Sequence, residues 1–401
     1  MTTTSYTMAL QIGLQAQFKA DKAPPIMLIG PSGIGKTEIS EALVQKMGKT
    51  IAEYSLAQTC AELIGGFPYA DTEKGVTHLL PSAEILRICE AGEAAGVVLL
   101  DEICDAREDV QAAAHAVLTH GKFGQLQTPR FTAFVAAGNP PDISTTGGCL
   151  SIPMAKRVCQ VPFPPDVNAF VDGLRSGFPA PEVFLLPDGW ENGIPHWGNL
   201  IGSFIHAKPA WIESIPDANA TLGGMVLGKS APSPCPRTWH YAVVLLAACD
   251  GMQAAHPEMK ALIREARYLL LAGVVGETAA SEYLSYERNL DLPNPEDILT
   301  DPFARVDSKG VETLPKRGDQ IRTAAHAVVI AVLGNNTPQR WTNAFKYLGR
   351  IADGGHEDMG ALAAKELCKR ENIPARLGAF PKEVTRFVQI LEEAGILKPT
   401  K

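Results

Sequence analysis

Residues 30–37 read Gly30, Pro31, Ser32, Gly33, Ile34, Gly35, Lys36 and Thr37, a glycine-rich turn closed by a lysine and a hydroxyl. The turn follows the apolar run 26–29 and precedes a helical pattern over 37–47. Glycines there let the backbone curl so that its N–H groups converge on phosphate oxygens at a helix N-terminus, where the dipole favours an anion. In this pattern Lys36 would reach β and γ phosphates, and Thr37 would offer its hydroxyl to Mg²⁺. A plain strand-turn-helix junction with a chance lysine would not need the whole pattern in this context.

A second ending supplies the complementary chemistry. The run 97–100, Val-Val-Leu-Leu, is followed at once by Asp101 and Glu102. A buried strand delivers both carboxylates to its carboxyl end, the edge where open α/β sheets bind ligands. Asp101 would hold Mg²⁺ through its water shell, and Glu102 would polarise an attacking water. Such a pair alone could equally cap the next helix; beside a phosphate loop it reads as catalytic. Asp105 has the form of a capping box with Glu108, so the expectation is a structural cap. Asn139, in Ala-Ala-Gly-Asn-Pro-Pro, ends a later apolar run at the same edge, where a turn-forming Asn before Pro fits as well as a functional one. Arg157, before the fifth apolar run, and Arg237, at a helix start, are candidates for stabilising charge on a transferred phosphoryl; single arginines are more often solvated surface groups.

These residues need a sheet to hold them. Short β-branched or apolar runs at 26–29, 51–56, 97–100, 131–137 and 158–163 alternate with helical spacing, as in the face made by Val110, Ala113, Ala114, Val117 and Leu118. The pattern predicts an α/β fold, a parallel sheet between helical layers. Near residue 165 the texture changes to Pro-, Gly- and Trp-rich loops, with helical patterning again from Arg237 to about Ala272 and a break at 291–302. Beyond it, Ile321, Ala325, Val328, Val329 and Val332 mark one helix, Trp341, Phe345, Leu348 and Ala352 a second, and Phe387, Ile390, Leu391 and Ala394 a third. The expected division is 1–165, 166–290 and 291–401, which suits a chain of 401 residues.

Composition excludes several classes. Apolar residues are 46% and charged residues 20%, enough for a sizeable core, and no apolar stretch approaches the ~20 residues that span a bilayer. The start, MTTTSYTMALQ, lacks the basic and apolar regions of a signal peptide. Eight cysteines without a CxxC spacing read as reduced thiols of a cytoplasmic protein. His115, His120, Cys235 and His240 lack ligand spacing, so no protein-ligated metal is expected. A net charge of −8 gives no global basic footprint for nucleic acid.

The ordered set GPSGIGKT, VVLLDE, AAGNPP, the Arg157 segment and PRTW resembles an AAA+ ATPase, and AELIGGFP at 61–68 with DEICDAREDVQAAAHAVL at 101–118 resembles its MoxR-like and dynein-related branch. The resemblance spans residues 20–300 and implies a parallel-sheet nucleotide-binding core over 1–165, a helical lid with a long insertion over 166–290, and a helical C-terminal region. It implies a homo-oligomeric ring, usually a hexamer, with ATP and Mg²⁺ at subunit boundaries. By similarity Asn139 is the sensor that orients water, Arg157 the finger acting on a neighbour's ATP, and Arg237 the lid arginine. Lys156 and Val158 flank Arg157 where the family commonly has an acidic residue and Phe. The stretch 164–237 leaves open whether Arg237 serves its own or a neighbour's nucleotide. The branch also carries two hairpins facing the pore, here 65–80 and 120–131; Phe67, Tyr69, Lys122 and Phe123 would be grips, although aromatics on short hairpins more often pack locally.

Three functions compete at this stage. The first is ring-borne ATP hydrolysis that remodels or activates a protein client, with a von Willebrand factor A domain protein as the partner implied by resemblance. The second is a nucleic-acid motor of the helicase kind. A small-molecule P-loop kinase is the third, and it does not need Asn139, Arg157 and Arg237 together.

Overall fold

The structure is a computed structural model, and it describes residues 4–90, 96–143, 150–288, 292–375, 377 and 380–393. Nine strands run through its first part: β1 (Ile26–Ile29), β2 (Ile51–Ser55), β3 (Phe67–Asp71), β4 (Val76–Leu80), β5 (Val97–Asp101), β6 (Lys122–Phe123), β7 (Leu126–Gln127), β8 (Ala133–Gly138) and β9 (Cys159–Pro162). Five of them form one parallel sheet in the order β2-β5-β8-β1-β9. The central strands β1 and β8 are buried along their whole length and β5 along all but Asp101, as both faces of a parallel sheet carry helices. The α/β parallel-sheet fold expected from the alternation is the fold observed. Strand ends shift by one or two residues from the apolar runs: Phe131 lies before β8, and Gly138 extends it.

Contacts divide the chain into two compact units, Met1–Ile194 with Ala210–Ser281, and Pro195–Pro209 with Glu282–Lys401. In the first, helix Lys260–Val275 lies against β9. A Cβ on Gly273 would stand 2.2 Å from the Gln160 carbonyl oxygen, so only glycine permits that approach. The N-terminal helix Ser5–Gln17 is buried almost all round. Its glutamines pair with main chain: Gln11 Nε2 donates to Glu182 O (2.9 Å), Gln15 Nε2 to Phe184 O (2.7 Å), and Gln17 Nε2 to Phe134 O (3.2 Å). Sequence patterning did not foresee this role, because glutamines break an apolar stripe.

The second unit packs helices Gly318–Gly334, Pro338–Asp353 and Glu357–Leu367 about Trp341, Phe345, Tyr347 and Leu348. The two apolar faces expected there are inward, with Ala352 half-buried. The third expected helix is a 3₁₀ turn, Lys382–Phe387, running into helix Val388–Glu393; Phe387 and Leu391 are buried, while Ala394 and the Ile390 side chain lie outside the described residues. Among the described residues no helix is long and apolar enough to cross a membrane.

Candidate active site

Lys36, Thr37, Asp101, Glu102 and Asn139 all stand at the carboxyl ends of β1, β5 and β8 or at the helix that follows β1. Gly30 ends β1 so closely under the chain that a Cβ would lie 2.1 Å from Phe163 O. The turn through Pro31, Ser32, Gly33 and Ile34 ends at Gly35, whose φ of 89° is the left-handed conformation glycine favours, and helix Lys36–Lys46 starts immediately after it. This geometry brings the loop N–H groups and the helix N-terminus to one place.

Lys36 is buried, and its Nζ folds back to donate to Gly30 O (2.9 Å), Pro31 O (2.8 Å) and Asn139 Oδ1 (3.2 Å). Burial pushes its pKa below the ordinary lysine range, an effect opposed by the Asp101 carboxylate. Thr37 Oγ1 donates to Asp101 Oδ2 at 2.6 Å, so a hydroxyl and a carboxylate share one point. These hard oxygens suit Mg²⁺, which keeps most of its waters and needs few protein ligands.

Glu102 has φ 56°, one of two non-glycine residues with positive φ among those described. Such a backbone is costly in a glutamate and is held here by two bonds: its N–H donates to Asp101 Oδ1 (2.8 Å), and its Oε2 accepts from Ser55 Oγ (2.8 Å). Ser55 escaped the sequence reading. It ends β2 directly opposite Asp101 in the strand register, and a polar residue closing a neighbouring strand was the available signal.

Asp105 requires a correction. The next helix, Glu108–His120, begins after Arg107, and no side chain caps it. The chain first turns through 102–105, with Asp105 N bonded to Glu102 O, which leaves Asp105 three residues short of the helix. Its Oδ2 instead accepts from Asn139 Nδ2 at 3.1 Å. Asn139 is thereby clamped between Lys36 and Asp105 with its amide orientation fixed.

Arg157 and Arg237 lie elsewhere. Arg157 precedes β9, and Arg237 lines a cleft with Pro25 and Thr132, which precede β1 and β8; both therefore belong to the amino-end edge of the sheet. The two guanidiniums are within electrostatic reach of each other, and burial together with Arg237 weakens the hold of Arg157 on its proton. Arg157 Nη1 donates to Pro153 O (2.7 Å), but its Nε is buried without a partner among the described residues. Neither arginine makes an ion pair among the described residues. Burial and then Arg157 lower the pKa of nearby His115.

Both expected hairpins exist, as β3–β4 and β6–β7. Phe67 and Tyr69 are 49% and 57% exposed, and Lys122 is exposed. Phe123 is not a grip: it is 1% exposed and stacks on Tyr54 at 5.8 Å, since a two-residue strand lies flat on the core.

A glycine-rich loop at a helix N-terminus, facing two carboxylates at the carboxyl edge of a parallel sheet, defines a P-loop ATPase. The comparison with protein families is more specific: residues 25–157 match the AAA domain (dynein-related subfamily), so the chain carries an AAA ATPase domain and binds and hydrolyses ATP with it. No curated protein matches the chain. Among solved structures it is similar to a candidate ATPase from Cytophaga hutchinsonii, with TM-score 0.38 and 13% identity over 71% of this chain and 94% of the other. A full-length MCM homolog from Methanopyrus kandleri gives TM-score 0.37 and 15% identity over 67% of this chain and 55% of that one.

Proposed function

We propose that the chain is a MoxR-like AAA+ ATPase whose active site is completed between neighbouring copies in a ring, and that hydrolysis remodels or activates a protein client. The observation that carries this reading is the arginine pair. Two guanidiniums without a carboxylate partner among the described residues, on the sheet edge opposite Lys36 and Glu102, would need a large rearrangement to serve their own chain's nucleotide. They are suited to the γ-phosphate of a neighbour. Arg237 then acts in trans beside Arg157.

Within one chain the roles follow from the contacts. Arriving phosphates would draw Lys36 Nζ off the Gly30 and Pro31 carbonyls. Thr37 and Asp101 would hold Mg²⁺, which when bound neutralises charge on the β and γ phosphates. Asn139, fixed by Asp105, would orient the attacking water, and Glu102, aimed by Ser55, would accept its proton as the water oxygen bonds to the γ-phosphorus and the bond to ADP breaks. The neighbour's Arg157 and Arg237 would stabilise the charge on the departing phosphoryl. The 1–165 core, 166–290 lid and 291–401 region would divide the work as catalysis, coupling and partner docking. Exposed Phe67 and Tyr69 would touch the client.

Glu102→Gln tests this. It keeps size and polarity but cannot act as a base, so ATP binding should persist while turnover falls by at least ~10²-fold and an ATP-loaded assembly accumulates in light scattering. Wild-type turnover would give the base role to another group. Strong stimulation of the wild-type ATPase by single- or double-stranded DNA at moderate salt would replace the protein client with a nucleic acid.

A further inference from the structure

At the amino-end edge of the sheet a cleft of about 510 Å³ is lined by Lys22, Arg130, Thr132, Arg237, His240 and Tyr241. Its charge is one-sided. The single carboxylate in its wall, Asp21, is already taken by Arg130 through Nε (2.6 Å) and Nη2, leaving Lys22 and Arg237 without an ion-pair partner among the described residues. One wall carries a buried polar group: Thr132 is 6% exposed, and its Oγ1 has no hydrogen-bond partner among the described residues. A buried hydroxyl without a partner costs free energy unless a ligand or water completes it. Burial, and then Lys22, lower the pKa of His240, which favours the neutral ring, able to accept or donate at the rim.

We propose that this cleft is a second binding site, separate from the phosphate loop, for a small organic phosphate. Lys22 and Arg237 would meet the phosphate, Thr132 Oγ1 would bond one of its oxygens once its side chain turns toward the cleft, and Tyr241 with the His240 ring would lie along the organic part. The volume is that of a small-molecule site and far exceeds one inorganic phosphate. Lys22 and Thr132, which have no part in the proposed catalysis, carry this assignment; Arg237 meets the cleft ligand only where a neighbour's nucleotide does not engage it.

The test is calorimetric titration of the full chain, with its phosphate loop saturated by ADP and Mg²⁺, using ribose 5-phosphate as probe and inorganic phosphate in a parallel arm. Saturable binding of ribose 5-phosphate is expected, tighter than inorganic phosphate. Lys22→Ala and Thr132→Val should each weaken it about tenfold or more, as loss of a bond to a charged group does, with ADP affinity unchanged. Equal binding of inorganic phosphate, still dependent on Lys22 and Thr132, would support the phosphate site while assigning it the inorganic source. Absence of saturable binding for both probes would overturn the proposal. So would binding that ignores Lys22→Ala and Thr132→Val but is lost in Arg157→Ala, because the anion would then sit on the arginine pair.

Discussion

At the scale of single residues, the site is a set of paired restraints. Lys36 and Asn139 hold each other, Asp105 holds Asn139, and Ser55 holds a glutamate whose backbone sits at φ 56°. If Ser55 positions the base, Ser55→Ala should lower kcat about tenfold while KM for ATP stays within about twofold, and Ser55→Thr should restore it. An unchanged kcat in Ser55→Ala would reduce the contact to packing. The Lys36 environment gives a pH dependence. Its pKa is depressed by burial in the nucleotide-free protein, and bound polyphosphate would raise it again, so binding takes up a proton once pH exceeds the depressed value. ATP affinity should therefore fall on the alkaline side, beginning below the usual lysine range, in nucleotide titrations at stepped pH. Lys36, Thr37, Asp101 and Glu102 were legible because motif spacing binds them to a turn or a strand end. Ser55 and the true partner of Asp105 were not, since each is decided by a contact across strands or loops that local spacing does not encode.

At the scale of elements, alternation and apolar runs located all five strands of the main sheet; four of them are buried on both faces and have little choice of residue, while β2 alternates buried and exposed positions. What remained hidden was how helices are fixed to it. The buried glutamines of Ser5–Gln17 bind main chain more than a hundred residues away, and Gly273 lets helix Lys260–Val275 touch β9. Gly273→Ala should destabilise the first unit by about 1–3 kcal/mol, the usual range for forcing atoms into a packed contact, seen as a lower Tm and a smaller denaturant midpoint. An unaltered Tm would show that the helix shifts without cost. The same logic explains Phe123, whose hairpin is too short to lift it off Tyr54.

At the scale of the whole molecule, the proposed site is shared between copies. Lys36 and Glu102 stand at one edge of the sheet, and Arg157 and Arg237, without an ion pair among the described residues, at the other, so a head-to-tail ring would bring the two edges together. The sequence nominated all four residues but left the side on which Arg237 acts open; its proximity to Arg157 is the observation that supports a trans role. The direct measurement is the ATPase activity of mixtures of Lys36→Ala and Arg157→Ala chains, each inactive alone, with mixed assembly followed by native mass. Some boundaries in a mixed ring join an intact Lys36 site to an intact Arg157, so activity should return partially, with a maximum at intermediate ratios. Mixed rings that form and stay inactive at every ratio, or full activity in Arg157→Ala alone, would contradict it.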